Sequence, residues 1–251
     1  WSMAVGDLRR QYAGSLLDVI WAVAKPLLEL VTYTFVFTVL LRVRFHPEYS
    51  TVLSALFLFC GWMVYVTVNE TLARSLTVVR DNVHLIRKVH VPAGILPAYI
   101  AASEQVIQLM RMALLVAAAL IIGHGLSAWA LLLPLVMLFQ FMFTYGLALL
   151  LATVAVFFKD IRQLLQPLLL IWMFVTPVFY PESVFPRQFL PILVFNPLAH
   201  LIGIYRQILL NHQAPLPGQV IIFGTVSLTV FVVGLWVFRK QSPHFSDVLG
   251  G

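Results

Sequence analysis

Long apolar stretches separated by short polar ones run the length of the chain. The apolar runs cover residues 21–41, 52–72, 98–122, 129–156, 164–180 and 220–238. A helix that crosses the hydrocarbon core needs about 20 mostly apolar residues, so the pattern predicts six transmembrane helices. The fourth run is long enough to tilt or to project beyond the bilayer. The fifth is short and ends among prolines. Ahead of the first run, Val5, Leu8, Tyr12, Leu16 and Val19 recur at helical spacing while Asp7, Arg9, Arg10 and Gln11 turn away. That predicts an amphipathic helix over residues 1–20 lying at the membrane interface. The expected fold is an all-α membrane protein. It comprises the interfacial helix at 1–20, a transmembrane domain at 21–240 and a cytoplasmic tail at 241–251.

The connections differ in kind. Residues 123–127 make a tight turn, and residues 157–163 a short charged one. The segment 73–97 is long and polar in part, with Arg80, Asp81 and Asn82 followed by Leu85, Ile86, Arg87, Lys88 and Val89. The segment 181–219 is apolar, yet Pro181, Pro186, Pro191 and Pro197 cut it into pieces too short to cross. Non-helical backbone at membrane depth must be shielded by protein or face water, so this segment predicts short re-entrant helices. No internal repeat is visible, and the inverted-repeat pattern of many secondary transporters is missing.

Composition strengthens the membrane assignment. The chain is 61% hydrophobic and 10% charged, against about 45–50% and a quarter in soluble domains. An ordinary globular enzyme, a disordered chain and a coiled coil are excluded. The net charge of +6 falls between apolar runs, which points to lipid headgroups and topology rather than nucleic acid. Eleven cations, among them Arg74, Arg80, Lys159, Arg162, Arg239 and Lys240, fall at the termini or near the connections after spans two and four. Four, Arg42, Arg44, Arg187 and Arg206, fall on the opposite side, and Arg111 lies within span three. The positive-inside rule then places both termini in the cytoplasm. Cys60 is the lone cysteine, so no intrachain disulfide forms. Residues 1–12 lack the apolar core of a signal peptide. The chain opens on Trp1 and not Met, and the native start is expected upstream.

Candidate chemistry is sparse. There is no phosphate-binding Gly-x-x-x-x-Gly-Lys-Ser/Thr loop, no His-Glu-x-x-His, no cysteine pair and no Gly-x-Ser-x-Gly. His84 and His90 are six apart, roughly opposite on a helix. No catalytic residue, metal or cofactor is expected in this chain. Intramembrane polar groups are the stronger signal, since an ionised residue at mid-span costs about 2.5–3.5 kcal/mol to insert. Glu104, Gln108 and Arg111 fall at offsets of four and three, on one helical face. They could neutralise each other or pair with other spans. The reading is a structural polar seam, with a substrate path as the alternative. Glu29 lies one turn from Lys25, and Glu70 closes span two; both read as interfacial charges. Aromatics recur in spans one and five, at Tyr33, Phe37, Trp172, Phe174 and Tyr180. They suit lipid-facing belts, and equally the stacking of sugar rings in a conduit.

Four stretches in chain order resemble ABC-2 type permeases that export polysaccharides. They are Asp7-Leu8-Arg9-Arg10-Gln11-Tyr12 with Trp21 and Pro26; Asn82-Val83-His84-Leu85-Ile86-Arg87-Lys88-Val89; Phe158-Lys159-Asp160-Ile161; and Thr176-Pro177-Val178-Phe179-Tyr180-Pro181 with Asn196-Pro197-Leu198 and Tyr205-Arg206. The resemblance spans about residues 7–240. Subunits for lipid-linked O-antigen are the nearest in kind, with capsule and teichoic-acid exporters close by. Asp18 departs from the family, which usually has Gly there. The resemblance implies a homodimer in the bacterial inner membrane, joined by two copies of a separate cytoplasmic ATPase that binds ATP and Mg. It implies lipid-linked polysaccharide as substrate. It also implies that Asn82, His84, Leu85, Ile86, Arg87, Lys88 and Val89 couple to the ATPase. Pro181, Asn196, Pro197, Tyr205 and Arg206 would form an external gate.

Two other classes compete with an exporter subunit. An ion-coupled carrier would use Glu104 and call for inverted repeats. A membrane enzyme acting on lipid-linked sugars would call for a paired acid or Ser/His set in a loop. The loops carry only the unpaired Glu48, Asp81, Asp160 and Glu182.

Overall fold

The computed structural model describes residues 18–40, 50–82, 93–158 and 160–248. Every regular element among them is helical. Helix α1 is Asp18–Tyr33 and continues as a π-helical stretch, Thr34–Leu40. Then follow α2, Thr51–Asp81, and α3, Ile95–Ile121. A 3-10 turn at Ala128–Leu132 leads into α4, Leu133–Phe157. After α5, Ile161–Val175, two short helices, α6 at Leu190–Phe195 and α7 at Pro197–Leu209, precede α8, Pro217–Gln241. A final turn, α9, covers Phe245–Val248. The interfacial helix expected at 1–20 falls almost wholly outside the described residues.

Among the described residues, four helices are long and apolar enough to cross a membrane: Val52–Asp81, Ile95–Ile121, Ala128–Phe157 and Pro217–His244. The chain is a multi-pass membrane protein. The expected first and fifth spans correspond to shorter α-helices. The α-helical part of the first is 16 residues, carries Pro26 and passes into π geometry. The fifth is 15 residues and stops at Thr176-Pro177, because a residue before proline is driven out of the α region.

The connection expected at 73–97 is shorter than its sequence suggests. Helix α2 does not stop at Leu72 but runs to Asp81. At 31 residues and 1.5 Å each it is about 46 Å long, well beyond the hydrocarbon thickness. Its extension contains no glycine or proline and keeps an apolar stripe, with Leu76, Val78 and Val79 all buried. Arg80 lies in the last turn, where a cation suits the helix dipole. Asn82 closes the helix, its side-chain amide donating to Val78 O at 2.8 Å. Arg74 and Arg80 are therefore helical residues.

Helix α2 is the centre of the bundle and is buried on nearly every side. Three of its hydroxyls are consumed locally: Thr67, Thr71 and Ser75 each donate to the carbonyl four residues back. Helices α4 and α8 make the closest helix pairing. A Cβ on Gly234 would stand 2.4 Å from Gly146 O, and one on Gly146 would stand 2.6 Å from Val230 O. Small residues let backbones meet where lipid offers no hydrophobic drive for association. At one end of the bundle, Phe245 is fully buried against Phe238 and Phe157. The start of the expected tail is thus folded onto the ends of α2, α3, α4 and α8.

Helices α6 and α7 meet at 89°, taking Arg187–Phe195 and Pro197–Leu209 together. Pro197 occupies the first turn of α7, where its missing N–H is harmless. Asn196 caps it, accepting from Leu198 N at 3.1 Å.

Candidate functional site

The α3 face predicted from offsets of four and three exists, and all three residues on it are buried. Each reaches a different element. Glu104 accepts from Arg74 of α2 at 2.7 Å. Gln108 and Gln140 of α4 exchange amide hydrogen bonds at 2.9 and 2.6 Å. Tyr205 of α7 closes that set: its hydroxyl donates to Gln140 Oε1 at 2.8 Å and accepts from Gln108 Nε2 at 3.1 Å. Arg111 Nε lies 3.4 Å from Glu29 Oε2 on α1, and the same carboxylate accepts from the Trp62 indole at 3.3 Å. Of the pairings open in the sequence, pairing with other helices is the one adopted. Glu29, read as an interfacial charge, is the partner of a buried arginine. The Glu29–Lys25 spacing masked this, because the distance from Glu29 to Arg111 along the chain carries no local signal.

Two residues expected at the external gate lie inside the protein. Tyr205 is completely buried in the glutamine set. Arg206, counted among cations of an exposed connection, is 6% exposed. Its guanidinium donates to Pro177 O and Val178 O at 2.7 Å each and to Phe57 O at 3.3 and 3.4 Å. It also lies 3.5 Å above the Phe57 ring. The 89° bend explains the difference, because α7 turns inward to pack on α2. Gly61 makes the approach possible: a Cβ there would stand 2.6 Å from Val178 O and 2.7 Å from Arg206 Nη2.

Asn196 is a junction. Besides capping α7, its Oδ1 accepts from the Trp172 indole at 3.1 Å, and its Nδ2 donates to Thr176 Oγ1 at 2.9 Å. Trp172 therefore has its polar edge fixed while its ring borders an open groove. That groove, about 460 Å³, is lined by Trp172, Val175, Ile192, Phe195 and Asn196 with two prolines. Phe195, which lines it, is 85% exposed, and Phe174, on another face of α5, is 62% exposed. The Tyr180 ring stacks on Phe185 at 5.9 Å, and its hydroxyl donates to Phe174 O; Pro181 follows it as the cap of the next turn.

Tyr33 stands apart from this groove in a cluster with Trp62 at 5.0 Å and Phe179 at 5.5 Å, while Trp62 and Phe179 stack at 5.8 Å. The structure thus joins the end of α1 and the first half of α2 to the segment after α5 through aromatic rings. The side chain of Phe37 lies outside what the structure describes, as do His84, Leu85, Ile86, Arg87, Lys88 and Val89. Among the described residues no three His, Cys, Asp or Glu side chains gather as a metal site would require.

Comparison with known proteins finds relatives along nearly the whole chain. The chain is 27% identical to an O-antigen export system permease protein RfbA of Myxococcus xanthus over 252 residues, covering 98% of this chain and 93% of that protein. It is 28% identical to an O-antigen export system permease protein RfbA of Klebsiella pneumoniae, covering 97% and 92%. A second Klebsiella pneumoniae protein of that name is 26% identical with the same coverage. The profile described as ABC-2 type transporter matches residues 1–210. A multi-pass helical bundle held by buried polar contacts, matched by that profile over most of its length, belongs to the ABC-2 type transporter family.

Proposed function

We propose that this protein is the membrane subunit of an ATP-driven exporter that carries lipid-linked O-antigen polysaccharide across the bacterial inner membrane. The observation that carries the reading is similarity to O-antigen export permeases over nearly the whole length of both partners. In this reading the chain binds no nucleotide. Two copies of it pair with two copies of a cytoplasmic ATPase, which holds ATP and Mg. The chain crosses the membrane six times, with α1 plus its π-helical extension and α5 plus the segment to Tyr180 as the two additional crossings. Both termini are cytoplasmic, residues 1–20 lie along the interface, and α6 and α7 form a re-entrant hairpin on the outer side.

Roles within the chain follow from chemistry. A polymer sliding many sugars long needs weak, repeated contacts, and aromatic faces offer them without fixed charge. Tyr33, Phe37, Trp172, Phe174 and Tyr180 line the conduit in this reading. Exposed Phe174 and the open groove beside Trp172 support it. Asn82, His84, Leu85, Ile86, Arg87, Lys88 and Val89 form the socket for the ATPase, just past the point where α2 ends. Pro181, Asn196 and Pro197 shape the outer gate, with Tyr205 and Arg206 anchoring it from within. Glu104, Gln108 and Arg111 hold the helices and do not carry substrate.

The test is deletion of the gene in its native host. Expected is loss of surface O-antigen with lipid-linked polysaccharide accumulating inside, restored by this chain together with its ATPase. Full surface O-antigen in the deletion strain would refute the proposal.

A further inference from the structure

Helix α8 carries a feature to which neither the proposed conduit nor bundle packing assigns a role. Near its Arg239–Lys240 end lies an open groove of about 510 Å³, lined by Val232, Leu235, Trp236, Arg239 and Lys240. Gly234 and Phe238 face α4 and the core. Counted at 100° per residue, Val232, Trp236 and Arg239 point the opposite way. Their exposure agrees: Val232 is 54% and Trp236 is 61% exposed. The Lys240 ammonium sits 5.1 Å from the centre of the Trp236 ring, within cation–π range. Val232, Trp236 and Lys240 form one row at four-residue spacing, and Leu235 with Arg239 forms the next. The groove between these rows is apolar at one end and doubly cationic at the other.

That polarity matches an amphiphile with an anionic head. Tryptophan belongs at headgroup level in a crossing helix, and α8 is one of the helices long enough to cross. A second copy of this chain would bring cation to cation if it docked face to face here. A water-soluble peptide would have to lie at hydrocarbon depth beside Val232. We propose that this groove holds one anionic glycerophospholipid of the surrounding membrane. Its acyl chain lies along Val232 and Trp236, and its phosphate lies between Arg239 and Lys240. The site is independent of which polysaccharide is exported.

The experiment is native mass spectrometry of the full-length chain, purified with its ATPase, in detergent containing equal phosphatidylglycerol and phosphatidylcholine of identical chains. Each interfacial cation is worth about a fivefold preference for anionic lipid, so retention should favour phosphatidylglycerol by roughly twenty- to thirtyfold. Arg239→Gln with Lys240→Gln should abolish most of that preference. Trp236→Leu keeps both charges, and hence insertion, and should lower the preference several-fold by removing the ring under Lys240. Equal retention of the two lipids by the unaltered protein would overturn the proposal, as would a Trp236→Leu protein with unchanged preference. Displacement of phosphatidylglycerol by an equimolar polyprenyl diphosphate would overturn it too, assigning the groove to the transported substrate.

Discussion

The inner face of α3 and the outer surface of α5 are built on opposite rules. On α3, Glu104, Gln108 and Arg111 are buried, and each contacts a different helix. On α5, Leu170, Ile171 and Phe174 are all more than half exposed, and the Trp172 indole N–H is tied to Asn196 at one end. In lipid, apolar surface gains little by leaving hydrocarbon for protein, so apolar patterning does not decide which helix packs on which. Polar groups do, because a group left without a partner there costs kilocalories. The α3 face is therefore the part of the protein that specifies an arrangement. The α5 surface is left open for lipid, a second subunit or substrate.

The largest effect should come from breaking the fastener that ties α7 and the segment after α5 to α2. Arg206→Ala leaves the carbonyls of Phe57, Pro177 and Val178 without their donor. Each orphaned group is worth about 1–3 kcal/mol, so the loss should be roughly 3 kcal/mol or more. The melting temperature in detergent should fall by roughly 10 °C. Arg206→Lys should recover only part of it, since an ammonium cannot span three carbonyls as the planar guanidinium does. A stable Arg206→Ala protein would show that the bend holds itself.

A comparable loss tests the apolar alternative to polar specification. Gly234→Leu drives a side chain into the α4 backbone, and overpacking of this kind costs about 1–3 kcal/mol. Thermal unfolding should shift accordingly, while Gly224→Ala, where a Cβ would meet only the Phe139 ring at 3.8 Å, should shift little. Equal effects at both glycines would deny the close α4–α8 contact its role.

A smaller effect separates structure from transport. Glu104→Gln retains a hydrogen-bond acceptor for Arg74 but removes the charge. Arg74 is a quarter exposed, so the loss should be only about 1 kcal/mol, with export intact. Export abolished in an assembled, stable complex would make Glu104 a carrier and reverse the contrast drawn between α3 and α5.

A similarly small stability effect should accompany the clearest transport effect. Trp172→Phe forfeits one hydrogen bond to Asn196, about 1 kcal/mol. Tyr33→Ala and Trp172→Ala should both slow glycan export without preventing ATPase assembly, as read by co-purification. Normal export from both would move the conduit to another surface.

Several features were legible in the sequence because they are local. Apolar runs report insertion residue by residue, so the four long crossing helices could be placed to within a few residues at most ends. Offsets of four and three along α3 set Glu104, Gln108 and Arg111 on one face before any partner was known. The continuation of α2 to Asp81 was also local, yet it was hidden by reading Arg74 and Arg80 as loop charges. An arginine four residues beyond Glu70 extends a helix as readily as it ends a span.

The partners themselves were decided only by tertiary structure. Glu29 meets Arg111, Arg74 meets Glu104, and Tyr205 meets a glutamine pair across separations of 82, 30 and at least 65 residues. Arg206 reads as a loop cation of the 181–219 connection, whereas the bend at Asn196 turns its side chain into the bundle. In the sequence a polar residue among apolar ones declares only that it needs a partner. Which partner it finds depends on helix rotation and crossing, to which close backbone contacts such as Gly146 on Gly234 and Gly61 on Val178 contribute beside the polar pairs. Such contacts need a missing side chain on one helix and a facing backbone on another, a coincidence that exists only once the helices are assembled.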